Sequence, residues 1–195
     1  MTPDAIKAAC AASAQLIIET AALQAEQVHL AALCIADHVR AGGTIYLIGN
    51  GGSAATASHI AGEFVGRFKL ERDPLRAFAL MTDPAVVTAI ANDYGYEYVF
   101  ARQMAMLNDG DVLIAYTTSG KSANVILSLA RLVHRDIIIV VFTGGYGTAC
   151  ADTNPDAIVI SVPSCDTPRI QEAHDVLSHC LVQAVDEILA NGCVA

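Results

Sequence analysis

Five short apolar runs, each followed by a stretch of helical composition, leave this chain few folds to choose from. They are Thr44–Ile48, Arg76–Leu80, Asp111–Tyr116, Ile137–Phe142 and Ala157–Val162. β-Branched and aromatic residues give them strand character. Ile137–Phe142 is apolar without a break, as a strand buried on both faces of a parallel sheet must be. The alternation predicts an α/β fold: a doubly wound, five-stranded parallel sheet flanked by helices, with ligands beyond the carboxyl ends of the strands.

Helices are expected over Ser53–Phe68, from Pro84 to a break at Asn92-Asp93-Tyr94-Gly95, and from Tyr96 to about Leu107. Further helices are expected from Ser122 to about Val133 and from Thr167 to about Ala190. Ahead of the first strand, Thr2-Pro3-Asp4 supplies a capping hydroxyl followed by a proline suited to the first helical position. Helical composition then runs to about Arg40, as two helices or one long one, and Ala41-Gly42-Gly43 ends it. Leu16, Ile17, Leu23, Val28, Leu30, Leu33 and Ile35 are too many for one narrow stripe. A helix apolar on more than one side packs between layers or between subunits.

With 195 residues, 54% of them hydrophobic, the chain suits one core. It reads as a single domain over 1–195, with a helical segment 1–40 and an α/β core 41–195. A net charge of −9 argues against nucleic acid, which demands basic patches. No eighteen-residue stretch is uninterruptedly apolar, and the N-terminus lacks a signal-peptide pattern. No membrane partner is expected, and a cytoplasmic location is. The six cysteines are scattered with no CxxC pair, which predicts reduced thiols.

The chemistry gathers after the strands. Gly49-Asn50-Gly51-Gly52-Ser53 links the first strand to a helix, and the N–H groups at such a helix start attract anionic oxygens. Ser53 stands at a plausible N-cap position. On the same helix His59 and Glu63 are four residues apart and share a face. Gly49-x-Gly51-x-x-Ala54 matches a dinucleotide fingerprint in part, but no acidic residue stands at the end of the second strand, as that fingerprint requires. Ser119-Gly120-Lys121-Ser122 looks like the end of a Walker A loop, yet Ala115 occupies the place of its first glycine. Without a nucleotide the segment is more informative. Thr117, Thr118, Ser119 and Ser122 put four hydroxyls in six residues between a strand and a helix, a neutral cup for phosphate. Thr143-Gly144-Gly145-Tyr146-Gly147 is a third turn in the equivalent place, and Asn92-Asp93, taken alone, reads as a turn.

In the last helix Gln171 and His179 are eight residues apart and share a face. His174 points about 60° away from Gln171, and Glu172 and Asp175 are expected on the solvated side. His179 is flanked by Leu177, Cys180, Leu181 and Val182. It is either a packed core residue or a partner of Glu63.

Taken together these residues resemble the phosphoheptose isomerases of the sugar-isomerase (SIS) domain family, whose sheet is flavodoxin-like. The resemblance is carried by Gly49–Ala55, His59-x-x-x-Glu63-x-x-x-Arg67-Phe68 and Asn92-Asp93-Tyr94-Gly95. It continues through Thr118-Ser119-Gly120-x-Ser122-x-Asn124-Val125 and Asp166-Thr167-x-Arg169-Ile170-Gln171-Glu172. It implies interconversion of sedoheptulose 7-phosphate and D-glycero-D-manno-heptose 7-phosphate through an enediol. By position it implies Glu63 as base and His179 as acid. Phosphate contacts fall on Thr117, Thr118, Ser119 and Ser122. Contacts to the remainder of the substrate fall on Asn50, Gly51, Gly52, Ser53, Glu63, Asn92, Asp93 and Gln171. A zinc site is implied at His59, Glu63, Gln171 and His179, as is a homotetramer, joined by the N-terminal helices, with active sites shared between subunits. Departures from the family pattern are Thr56, Thr117, Lys121 and Ala123, where aspartate, serine, asparagine and proline are usual. The rival reading is a non-catalytic relative that senses sugar phosphates or binds a replication initiator, which needs neither Glu63 nor His179.

Overall fold

The computed structural model describes residues 1–145 and 148–192. Five strands, β1 (Ile45–Gly49), β2 (Ala77–Ala79), β3 (Val112–Thr117), β4 (Ile138–Gly144) and β5 (Ile158–Val162), form one sheet in the order β2-β1-β3-β4-β5. Every pairing is parallel. The predicted doubly wound α/β architecture is therefore observed. Chain order reverses between β1 and β3, and ligands collect at such a switch point. The register sets Gly49 beside Tyr116 and Thr117 beside Thr143, so the loops after three central strands emerge side by side.

Each face of the sheet has its own core. Ile45, Leu47, Val112, Ile114, Tyr116, Val140 and Phe142 pack beneath α1 (Pro3–Arg40), α2 (Gly52–Val65) and α6 (Thr167–Asn191). Tyr46, Ile48, Leu113, Ala115, Ile139 and Val141 pack on the other side. There they meet α4 (Ala123–Arg131), Cys150 of α5 (Thr148–Thr153) and the segment 99–107, with α3 (Pro84–Tyr94) at the margin.

The 1–40 segment is one helix, α1. Thr2 caps it by accepting from the Ala5 N–H at 3.2 Å. It packs along α6 and β5 through Val28, Ala31, Ala32, Ile35 and Ala36, while Ile6, Ile18, Leu23, Leu30 and Leu33 remain exposed. By length and composition alone α1 is apolar enough to cross a membrane, and 11% of its most apolar window is buried.

Several local expectations are corrected. Gly51, not Ser53, caps α2, with φ +54°, and Ser53 is a buried residue of the first turn. Helix α2 ends at Val65 rather than Phe68, because Gly66 leaves helical geometry at ψ −114°. The segment 96–107 forms two 3₁₀ turns, Tyr96–Tyr98 and Gln103–Met106. There the Gln103 side-chain amide takes the Val99 carbonyl at 2.7 Å, the acceptor that an α-helix reserves for a backbone N–H. Six-residue α5 had no counterpart in the sequence reading. Tyr146 and Gly147 of the third turn lie outside the described residues, as does Cys193. The other five cysteines are free thiols, and burial pushes Cys150 up to about 11.

Candidate active site

Two groups of residues assemble on the α2 and α6 side of the switch point. The first is a cleft of ≈ 290 Å³ lined by Asn50, Gly51, Gly52, Ser53, Tyr116, Thr117, Thr118, Ser122, Thr167 and Gln171. Three helix starts converge there: Gly52 opens α2, Ser122 stands at the N-cap of α4, and Thr167 opens α6. Backbone N–H groups at helix starts carry partial positive charge. The lining holds no lysine or arginine, so an anion would rest on N–H groups and hydroxyls. Glycine is required at both ends of the first turn. A Cβ on Gly49 would sit 2.5 Å from the Ser53 carbonyl oxygen, and Gly51 has the left-handed φ of +54° that side chains resist.

The hydroxyl loop is partly self-braced. Thr117 Oγ1 accepts from Gly120 N–H and Ser119 Oγ from Lys121 N–H, both at 3.2 Å. Ser122 makes no side-chain capping bond, leaving its hydroxyl to the cleft together with that of Thr118. Ser119 is exposed and outside the lining. Across the switch point Asn50 and Asn124 exchange side-chain amide bonds at 2.8 and 2.9 Å, and Tyr96 donates to Asn50 Oδ1 at 2.9 Å. Asn92 and Asp93 are not a turn between helices. They form the last turn of α3, where they are exposed and bonded to each other at 2.9 Å, outside the cleft lining.

The second group lies further along the same two helices. His59 and Glu63 of α2 meet His179 of α6, with one ligand atom from each within 4.8 Å of the others. Nε2 of His59 is 2.9 Å from Nε2 of His179 and 3.6 Å from Glu63 Oε1. Tetrahedral zinc with bonds near 2.0–2.1 Å sets its ligand atoms about 3.3 Å apart, between those two separations. The three side chains thus fit a catalytic metal centre, which keeps a position open. Gln171 stands about two turns earlier on α6 with its amide against Gly52, where an added Cβ would lie 2.6 Å from Nε2. Phe68 stacks on the His179 ring, 4° from parallel with centroids 5.2 Å apart.

His174 faces the other way. It is buried, Nε2–H donates to the Thr143 carbonyl at 3.1 Å, and Nδ1 has no partner. Burial pushes its imidazole down to about 4, against the opposing pull of the carbonyl. Glu172 and Asp175, expected in solvent, are both engaged. Glu172 pairs with Arg169 at 2.6 Å and accepts from Ser13 of α1. Asp175 accepts from Thr56 at 2.7 Å, tying α2 to α6.

A family model described as the SIS domain matches residues 10–144. This chain belongs to the SIS domain family. It is 49% identical over 154 residues to the phosphoheptose isomerase of Burkholderia pseudomallei, covering 78% of this chain and 77% of that one. Against the phosphoheptose isomerase of Thiobacillus denitrificans it is 44% identical over 180 residues, 91% of each chain. A solved phosphoheptose isomerase from Francisella tularensis superposes with a TM-score of 0.90 at 36% identity, covering 96% of this chain and 100% of that one. Relatives this similar over most of their length are isomerases, and this SIS chain is an enzyme of that class, which removes the non-catalytic rival.

The sequence reading missed several residues of the site. Thr167 carried a signal, a hydroxyl at a helix start, and Asn124 lay within a quoted motif. Phe68 too lay within one of the motifs, though not as a site residue, and Tyr96 had no signal; their partners are 111 residues (His179) and 46 residues (Asn50) away.

Proposed function

We propose that this enzyme interconverts sedoheptulose 7-phosphate and D-glycero-D-manno-heptose 7-phosphate. The observation that carries the reading is the separation of a neutral anion cleft from an acid–base cluster along two shared helices. Ten residues of α2 separate Ser53 from Glu63, a rise of about 15 Å. A phosphate in the cleft thus calls for a long substrate if the other end is to reach the cluster, and a seven-carbon sugar suits this better than a triose. Relatives named phosphoheptose isomerases at 44–49% identity support it.

In this reading Thr117, Thr118, Ser119 and Ser122, with the N–H groups at the starts of α2 and α4, hold the phosphate. Asn50, Gly51, Gly52, Ser53, Asn92, Asp93 and Gln171 contact the rest of the substrate. Glu63 removes a proton from C1 of the ketose, giving the enediol, and returns it to C2. His179 gives a proton to the C2 oxygen as that carbonyl is reduced and takes one from the C1 hydroxyl. Atoms and charge balance without a redox partner. His59, Glu63 and His179 would hold zinc, which supplies positive charge that polarises the sugar carbonyl; Gln171 would join them as a fourth donor only by turning its amide away from Gly52. A carboxylate has two oxygens, so Glu63 can serve both metal and substrate.

We assign the exposed apolar side of α1 to contact between copies of the chain in a homotetramer with shared active sites. Neither lipid nor nucleic acid is a partner in this reading, and the enzyme works in the cytoplasm. A coupled assay of the purified protein on sedoheptulose 7-phosphate tests the reaction. Absence of turnover with or without added Zn²⁺ refutes it.

A further inference from the structure

Helix α2 ends without a basic residue in its last turn, so its final carbonyls need donors from elsewhere. Arg72, in the loop after the helix, provides them. Its Nη2 donates to the Glu63 carbonyl at 2.9 Å, and its Nη1 to the Phe64 carbonyl at 2.8 Å. The same Nη1 donates to the carbonyl of Asp73 at 3.1 Å. Its Nε donates to Asp186 Oδ1 of α6 at 2.6 Å. The pair is well enclosed, with side-chain exposures of 13% for Arg72 and 1% for Asp186. The second carboxylate oxygen of Asp186 is buried without a partner, so the guanidinium is what holds this charge.

Asp186 lies seven residues beyond His179, nearly two turns and hence on the same side of α6. One guanidinium therefore joins the backbone of Glu63 to the stretch of α6 below His179. It also anchors the loop whose Phe68 stacks on the His179 ring and whose Lys69 donates to Gln183 at 2.8 Å. We infer that Arg72, anchored by Asp186, is a positioning residue that sets the spacing of Glu63 and His179 across the two helices. The inference rests on the assignment of those two side chains as the reacting pair. A planar fork spreads its donors over three nitrogens and so meets carbonyls and a carboxylate that lie apart, whereas a lysine ammonium carries all its donors on one atom.

The test compares Arg72→Met, Arg72→Lys and Arg135→Met. Arg135 ties Leu107 and Asp109 and serves as a control for lost stability. Two readouts are taken well below the melting point: kcat and KM on sedoheptulose 7-phosphate, and the Zn²⁺ dissociation constant by chelator competition. Losing a group that orients a ligand typically costs about 10–100-fold in metal affinity or activity. Arg72→Met is expected to lose that much in kcat and in Zn²⁺ affinity, with KM within about twofold, because the phosphate cleft is at the other end of α2. Arg72→Lys is expected to lose as much, and Arg135→Met neither. Unchanged readouts in Arg72→Met, full recovery in Arg72→Lys, or equal losses in Arg135→Met would overturn the inference. If Arg72→Met does not fold, Asp186→Asn decides by the same readouts, since it frees the guanidinium from α6. A wild type that binds Zn²⁺ but does not turn over refutes the proposed reaction and leaves the Zn²⁺ constant to decide on Arg72. A wild type that does neither overturns both.

Discussion

His174 and His179 stand five residues apart on α6 in opposite surroundings. His174 lies between Ala173 and Asp175 and His179 between Ser178 and Cys180, and this local composition does not tell the packed histidine from the one that meets His59 and Glu63. What separates them is which side of α6 faces the sheet, and that is a property of the assembled fold. His174, sealed against Tyr116 and Phe142, has a folded pKa of about 4, below the unfolded value near 6.5. As pH falls through that window the unfolded chain binds its proton first and gains stability over the folded one. This group contributes no penalty above pH 6.5, and on the order of 3 kcal/mol once pH reaches 4. His174→Phe, an aromatic replacement beside two others, should flatten the fall in stability between pH 6.5 and 4 in urea titrations. An unchanged slope would assign the effect to other groups. For the reacting pair, His179→Gln should lower kcat by roughly 10²–10⁴. The His179→Gln, Glu63→Gln double variant should be little worse than either single, because the two act as a unit. Multiplying losses would mean that they act separately.

At the scale of elements, the glycine turn after β1 and the hydroxyl loop after β3 were legible because strand, turn and helix start each leave a local signature. Replacing Ser119 and Ser122 with alanine should raise KM strongly with the fold intact, and Ser122→Ala alone should account for most of it, since Ser119 is exposed and spends its hydroxyl on Lys121 N–H. Equal KM values for both single variants would move the phosphate outward along the loop. The brace between the two loops was not legible: Asn50 and Asn124 are 74 residues apart, and no periodicity encodes such a pair. Asn124 is buried, and Asn124→Leu leaves the Asn50 amide short of a partner, at a cost of about 1–3 kcal/mol, measurable by denaturant unfolding. A variant as stable as the wild type would show the pair to be dispensable. The five strands were placed within a residue or two. The stretch 96–107 was misread as a helix because a side-chain amide there competes for a backbone acceptor.

For the whole molecule, the proposed homotetramer rests on the long N-terminal helix. Ile18 is 64% and Leu23 59% exposed, and apolar surface left in that state marks an interface. Light scattering should give the mass of four chains, and Leu23→Glu with Leu30→Glu should give a smaller species. A wild-type monomer at micromolar concentration would contradict the assignment of α1 and the sharing of active sites. The sheet order and switch point follow from the alternation of elements, whereas the meeting of α2 with α6 depends on contacts across more than a hundred residues, Thr56 with Asp175 and Arg72 with Asp186. The central claim is that proton transfer by Glu63 drives the isomerisation, and its most direct test is solvent deuterium exchange with sedoheptulose 7-phosphate in wild type and Glu63→Gln. The wild type should place deuterium on the carbon beside the carbonyl as it turns over, and Glu63→Gln should do neither, its rate falling by roughly 10²–10⁴ or more. Turnover and exchange intact with glutamine at position 63 would contradict the account and place the base on another residue.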